Sequence, residues 1–150
     1  MKLRYYEEYE VGEKAVSDTY IVGKTELVEY SKKWDPQPFH VDEEAARASI
    51  YGGLTAPSVY IMAVASLLGN TIEPKIAALG ALGMTDMEFP NPMRPEDSIT
   101  LTSTVTQKRS SKTKPDRGII HYTVRVANQN DEPVATYRIK IMVAKRNKSA

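Results

Sequence analysis

Leu54-Thr55-Ala56-Pro57-Ser58-Val59-Tyr60-Ile61-Met62-Ala63-Val64-Ala65-Ser66-Leu67-Leu68-Gly69-Asn70 is the most hydrophobic stretch of the chain. Proline suits a first helical position and Gly69-Asn70 makes a good C-terminal stop, so the sequence predicts a helix over 57–68. Val59, Ile61, Met62, Ala63, Val64, Ala65, Leu67 and Leu68 leave it almost no polar face. A helix of that kind must be buried on nearly all sides, as when a sheet wraps around it. Ser58, Tyr60 and Ser66 are its main polar groups, and the spacing of the two serines puts them roughly on one face.

The chain downstream supplies such a sheet. Segments 77–89, 99–108, 118–127 and 134–144 read as strands, with clear alternation in Ile99-Leu101-Ser103-Val105 and Tyr122-Val124-Val126. Asn128-Gln129-Asn130-Asp131 is a hairpin turn, 91–97 a rigid connecting loop, and 110–117 either a mobile hairpin tip or a bulged crossover. Upstream, 9–12 reads as a turn, 14–22 as a strand ended by Gly23, and Thr25 as the N-cap of a helix running to Trp34. A loop over 35–40 follows. Asp42 then caps a second helix, with Glu43 and Glu44 in its first turn, and Gly52-Gly53 break it. One long apolar helix followed by four long antiparallel strands is an α+β arrangement, a sheet curled around a central helix in a single domain over 1–150. A half-barrel of this kind leaves sheet edges open, so a homodimer or higher homo-oligomer is expected.

Composition narrows the function classes. The 20 basic and 19 acidic residues leave a formal charge of +1, so no global field draws the chain to nucleic acid or a membrane surface. Cysteine is absent, which removes disulfides, thiolate metal sites and cysteine nucleophiles. No apolar run approaches the roughly 20 residues that span a bilayer, and the first residues lack a signal-peptide core, so the expected location is the cytoplasm. There is no Gly-x-Ser-x-Gly elbow, phosphate loop or dinucleotide fingerprint. With two histidines far apart and no cysteine, a zinc site is not expected.

The chemistry concentrates in Trp34-Asp35-Pro36-Gln37-Pro38-Phe39-His40-Val41-Asp42. Two prolines stiffen this stretch and bias Asp35 and Gln37 away from helix, which holds a carboxylate near an imidazole. Held still, such a pair suits general acid–base work. On spacing alone the same residues also read as a capped turn beside an ordinary surface histidine.

The longer run Tyr30…Asp35-Pro36-Gln37-Pro38-Phe39-His40-Val41-Asp42…Ala45…Tyr51-Gly52-Gly53-Leu54 resembles the hydratase signature of the MaoC-like dehydratases, relatives of R-specific enoyl-CoA hydratases with a hotdog fold. Pro92-Met93-Arg94-Pro95-Glu96-Asp97 also looks like that family's Pro-x-Arg-Pro-Gly-Asp turn into a long strand, with Glu96 in the glycine position. The resemblance covers roughly 5–144 and is sharpest over 30–66. It implies reversible hydration of a trans-2-enoyl-CoA to an (R)-3-hydroxyacyl-CoA. Asp35 would be the base that polarises water, and His40 would hold that water and share in returning a proton. Ser66 would help organise the site, and a backbone N–H at Ser58 would serve the thioester oxygen. Pro57 and Gly53 would line the substrate site. The resemblance implies no metal or redox cofactor, coenzyme A entering only as part of an acyl-CoA substrate bound near a subunit boundary.

Pro57-Ser58 departs from the family, which often has His-Gly or Ser-Gly there. Serine keeps the N–H but adds a side chain, which reshapes the acyl pocket, offers Oγ as a further donor, or marks a member without turnover. A non-catalytic acyl-thioester binding protein is therefore one alternative; a hotdog acyl-CoA thioesterase is another, since that fold also includes thioesterases that use a carboxylate without this Asp–His frame. Arg94 and the bases Lys108, Arg109, Lys112, Lys114 and Arg117 are candidates for the phosphates of coenzyme A. A solvated hairpin tip is the simpler reading of the basic group. Tyr5, Tyr6 and Tyr9 pack the N-terminal arm, and His121, in a strand pattern with no carboxylate nearby in sequence, reads as structural or exposed.

Overall fold

The computed structural model describes residues 1–147. Four long strands form the body of the sheet: β5 (Ala78–Glu88), β6 (Ser98–Ser110), β7 (Arg117–Ala127) and β8 (Pro133–Ala144). Short β2 (Lys14–Val16) and β3 (Tyr20–Ile21) both pair with β6, and the order across the antiparallel sheet is β2-β6-β7-β8-β5. Helices α1 (Lys24–Trp34), α2 (Pro38–Val41) and α3 (Glu43–Ala48) lead into α4 (Ser58–Gly69). On α4, Tyr60, Ile61, Val64, Ala65 and Leu68 share one core with Leu101, Val105, Tyr122, Val124 and Tyr137 of the sheet. Each such aliphatic side chain removed from water contributes about 1.5–3 kcal/mol, so α4 is held by the sheet and not by its own propensity. This is the hotdog arrangement.

Several boundaries differ from the sequence expectation, each for a local reason. The strand over 14–22 is broken because the Ser17 hydroxyl accepts the Leu101 N–H at 2.8 Å, the place a ladder carbonyl would take. Helix α1 starts one residue before Thr25: Gly23 is the N-cap, and its carbonyl takes the Leu27 N–H at 3.0 Å. The loop over 35–40 is shorter than expected, because Pro38 opens the single turn α2 and places His40 on a helix. Asp42 does cap α3, accepting the Ala45 N–H at 2.7 Å, but α3 ends at Ala48, ahead of the glycines. Pro57 is the N-cap of α4, not its first residue.

Burial of α4 is also less complete than its composition suggests. Val59 is 44% and Leu67 51% exposed, and Ala63 and Ser66 lie on the same open stripe. The sheet covers one side of the helix and leaves this stripe without a partner within the chain. Segment 110–117 is a plain hairpin between β6 and β7, closed by the Ser111 N–H on the Arg117 carbonyl at 3.1 Å.

The N-terminal arm is tied down more firmly than a terminus usually is. Strand β1 (Leu3–Arg4) pairs in parallel with β4 (Lys75–Ile76), a pairing the sequence does not announce. The Lys108 ammonium donates to the carbonyls of Tyr6 and Tyr9 at 3.1 and 2.7 Å and sits 4.5 Å from the Tyr6 ring centroid. The Tyr6 ring lies over Gly118, where a Cβ would stand 2.3 Å from the ring carbons.

The turn before β6 carries a strain that can be measured. Arg94 to Asp97 closes with the Asp97 N–H on the Arg94 carbonyl, Pro95 follows Arg94, and Glu96 has φ +70°. That is the type II pattern, in which glycine is favoured at the third position. Left-handed φ costs a side-chain-bearing residue about 1–2 kcal/mol, partly offset by the lower unfolded-state entropy of a non-glycine residue. Glu96→Gly therefore raises stability by about 0.5–1 kcal/mol, read as a higher denaturant midpoint; an unchanged or lower midpoint rules out strain here.

Candidate active site

Asp35 closes α1: its N–H donates to the Ser31 carbonyl at 2.9 Å, and its backbone then leaves the helix with φ −157° and ψ 77°. Gln37 is extended, as a residue before proline must be, and Pro38 turns the chain into α2. The two bends bring the His40 imidazole back toward the Asp35 carboxylate, with Nε2 3.8 Å from Oδ2. Phe39 wedges α2 against the next turn, 5.1 Å from the Tyr51 ring centroid.

The His40 side chain is 8% exposed and that of Asp35 34%. His40 Nδ1 lies 2.5 Å from the carbonyl oxygen of Thr55. A carbonyl only accepts, so Nδ1 carries the proton in this contact, and in the neutral ring Nε2 then presents its lone pair to Asp35. Two acceptors thus face each other across a gap too wide for a direct hydrogen bond. A small donor with two O–H groups satisfies both, and water is the smallest.

Thr55 also connects this pair to the start of α4. Three residues on, the Ser58 and Val59 N–H groups precede the first helical bonds, in which Tyr60 and Ile61 donate to the Pro57 carbonyl at 3.0 and 3.1 Å. Pro57 itself is fully buried and has no N–H to offer. The Tyr30 hydroxyl donates to the Val59 carbonyl at 3.3 Å, and the Tyr60 hydroxyl to Glu26 at 2.8 Å, which fix the first turn of α4 against α1. Burial, with Glu26 adding to it, raises the Tyr60 phenol far above its ordinary range, so Tyr60 stays a neutral donor. Asp35, His40 and the opening of α4 therefore form one locality.

Ser66 stands elsewhere on α4. It is exposed on the wall of a cavity of about 800 Å³ between the C-terminal half of α4 and the concave face of the sheet. Among the described residues no hydrogen bond links its hydroxyl to Asp35 or His40, and the helix rise puts it about 12 Å along the axis from Ser58.

Arg94 has its own partners. Nη1 donates to the carbonyls of Gly53 and Leu54 at 2.9 and 3.2 Å, and Nη2 to that of Tyr51. It clamps the turn entering α4, a geometry unlike the open phosphate contact expected of it. Gly53 lies against the same group, since a Cβ there would meet Nη1 at 3.4 Å. Lys108 is similarly committed to the N-terminal arm, and Arg117 pairs with Asp116 at 2.8 Å.

His121 sits on the opposite face of β7 from the cavity-lining Tyr122 and Val124, and its enclosed Nε2 has no hydrogen-bond partner among the described residues. Burial, then Lys140 and Arg109, lower its pKa from the ordinary 6.5. The unfolded chain then binds the proton more readily, so stability falls as pH drops through the ordinary histidine range toward the lowered folded value. Urea midpoints between pH 7.5 and 5.5 should fall less steeply in His121→Gln than in the parent; equal slopes exclude His121 as the source.

Thr55, absent from the sequence expectation, acts through its backbone carbonyl, which any residue would supply; no residue-type signal marks it. The chain matches the family described as FAS1-like, dehydratase domain region, over residues 10–137. The MaoC-like dehydratase of Rhodospirillum rubrum is 32% identical and superposes with a TM-score of 0.90, the alignment covering 97% of this chain and 99% of that one. The R-hydratase PhaJ1 of Pseudomonas aeruginosa shares 24% identity with a TM-score of 0.77, over 97% of this chain and 91% of its own. The HadBC (3R-hydroxyacyl-ACP dehydratase) complex of Mycobacterium tuberculosis shares 18% identity with a TM-score of 0.69, over 88% and 96% of the two chains. The last two are likenesses of fold. With the match over most of its length and the Rhodospirillum rubrum relative covering nearly all of it, the chain belongs to the MaoC-like dehydratase family.

Proposed function

We propose that this protein adds water reversibly across the 2,3-double bond of a trans-2-enoyl-CoA, giving an (R)-3-hydroxyacyl-CoA. The observation that carries the reading is the pair of facing acceptors, Asp35 Oδ2 and His40 Nε2 at 3.8 Å, with Thr55 fixing the imidazole tautomer. Water held between them turns its lone pairs outward, toward C3 of the enoyl group. As its oxygen bonds to C3, one of its protons passes to the Asp35–His40 pair and is then delivered to C2. Neither residue is changed at the end, and the other water hydrogen stays on the new hydroxyl. The reaction calls for no cofactor beyond the coenzyme A of the substrate.

Negative charge develops on the thioester oxygen during the addition, and in this reading the N–H groups at Ser58 and Val59 receive it. Helix N-termini favour anions because those N–H groups lack internal partners and the peptide dipoles add up there. Ser58 in place of glycine leaves this donor intact. Ser66 and the cavity beside it are assigned to the acyl tail. Leu79, Leu82, Met84, Met87 and Phe89 of the edge strand β5 and its end are each between 38% and 50% exposed, and the α4 stripe is open as well. A second copy of the chain covering these surfaces makes a homodimer the working assembly.

The direct test is loss of enoyl absorbance with crotonyl-CoA and longer 2-enoyl-CoAs. Thiol release without that loss assigns the chain to thioesterase chemistry instead. Binding without either change makes it an acyl-thioester binding protein.

A further inference from the structure

A sheet face that packs on a helix is normally apolar, yet three buried phenols and a serine line the concave side here. Tyr9, Tyr122 and Tyr137 are 6%, 8% and 6% exposed, and all three line the cavity of about 800 Å³ together with Ser103. Strand register gathers them. Ser103 on β6 pairs with Val124 on β7, which pairs with Tyr137 on β8, so these three form one row across the sheet. Tyr122 lies two residues back on β7, in the next row of the same face, and Tyr9 meets its ring edge-on with centroids 6.4 Å apart.

A buried phenol without a partner costs free energy, so its hydroxyl ordinarily finds one. Among the described residues the Tyr137 hydroxyl makes no hydrogen bond, and the one fully enclosed orphan side-chain atom is His121 Nε2. The Tyr137 hydroxyl therefore opens into the cavity. Burial alone raises its pKa to about 12, and burial with the neighbouring Tyr9 raises that of Tyr122 further still, so both remain protonated near neutral pH.

The charge in the cavity selects among polar ligands. Its one guanidinium in reach of this cluster, that of Arg4, stacks 4.1 Å from the Tyr9 ring centroid and is bonded to both oxygens of Glu13 at 2.8 and 2.7 Å. An ion pair already closed on itself does not call for a second carboxylate. The other charged residues lining the cavity, Lys14, Asp18 and Glu73, are exposed, whereas the buried phenols have the apolar Met62, Leu101, Ile139 and Ile141 on the same cavity wall.

We propose that the cavity takes an acyl tail bearing an uncharged oxygen function, a hydroxyl or ketone, in its distal half, received by Tyr137 with Ser103 and Tyr122 beside it. This rests on the hydratase reading for the thioester end but not for the binding itself, so binding and turnover are measured separately. The probes are free fatty acids of graded length, each paired with its ω-hydroxy counterpart, followed by tyrosine fluorescence and by chemical shifts of the intact protein. At the matching length the ω-hydroxy acid should bind about 3- to 10-fold more tightly than the plain acid, the range expected of one hydrogen bond. Tyr137→Phe should bring that ratio close to one, and Ser103→Ala should lower it by a smaller factor. Unaltered melting of Tyr137→Phe shows that the ratio reports the hydroxyl and not loss of fold; if that variant melts early, Ser103→Ala decides. Plain acids binding as tightly as hydroxylated ones at every length, or a ratio that survives both substitutions, overturns the proposal. The matched enoyl-CoA pairs are then assayed for hydration: a binding preference without turnover overturns the hydratase reading and leaves this inference standing.

Discussion

Asp35→Asn lowers enoyl-CoA hydration by about 100- to 10,000-fold, the range for losing a general base, while the fold is kept. The substitution preserves the shape of the side chain and removes its charge. It also does something the spacing makes specific to this site. An amide places an N–H opposite His40 Nε2, so two facing acceptors 3.8 Å apart become a donor and an acceptor able to close on each other. Water then loses both its base and its place. His40→Ala should lose activity to a similar degree and stability as well, because the buried Thr55 carbonyl is left without its donor, at about 1–3 kcal/mol. The contrast separates chemistry from scaffolding: denaturant melts should be parent-like for Asp35→Asn and lowered for His40→Ala. Parent-like hydration of crotonyl-CoA by Asp35→Asn sinks the assignment of the base.

Gly118→Ala carries the largest expected loss of stability, about 2–3 kcal/mol, in the upper part of the range for overpacking. The new Cβ would stand 2.3 Å from two carbons of the Tyr6 ring and 2.8 Å from a third. The ring cannot slide aside cheaply, since Lys108 holds the Tyr6 carbonyl and lies over the ring face. The N-terminal arm must lift instead, exposing a tyrosine that is 8% exposed in the fold. A double-mutant cycle tests the cause. In a Tyr6→Ala background, itself destabilised, Gly118→Ala should cost far less than in the parent. Equal costs in both backgrounds place the damage in β7 alone.

The architecture was readable because it rests on patterns every segment states for itself. The apolar run of α4 and the alternation of β6 to β8 announce a helix under a sheet, and both are observed with ends displaced by a few residues at most. What was not readable depends on partners distant in the chain. Proline at 38 reads as a loop residue until the following turn is seen to wind into α2. Arg94 reads as a free cation because its three partners are carbonyls some 40 residues away, and carbonyls leave no mark on residue type. Tyr122 and Tyr137 read as ordinary strand aromatics; only the register of three strands shows that they share the concave face with Ser103. The exposed stripe of α4 was hidden by composition, which counts apolar residues without saying how many neighbours a single chain can supply. The Asp35–His40 pair, by contrast, is local, and both the sequence and the fold bring its two groups together.

Backbone oxygens position much of this locality, Thr55 for His40 and Tyr51, Gly53 and Leu54 for Arg94. Every amino acid supplies the same oxygen. The hydrogen bonds at positions 51, 54 and 55 therefore do not depend on side-chain identity, and substitutions that keep the packing of Tyr51 on Phe39 and of the buried Leu54 and Thr55 leave the frame in place, provided His40 and Arg94 stay and position 53 stays small. Geometry of that sort is inherited through two side chains and a chain path, which gives the site robustness to drift in the rest of its surroundings.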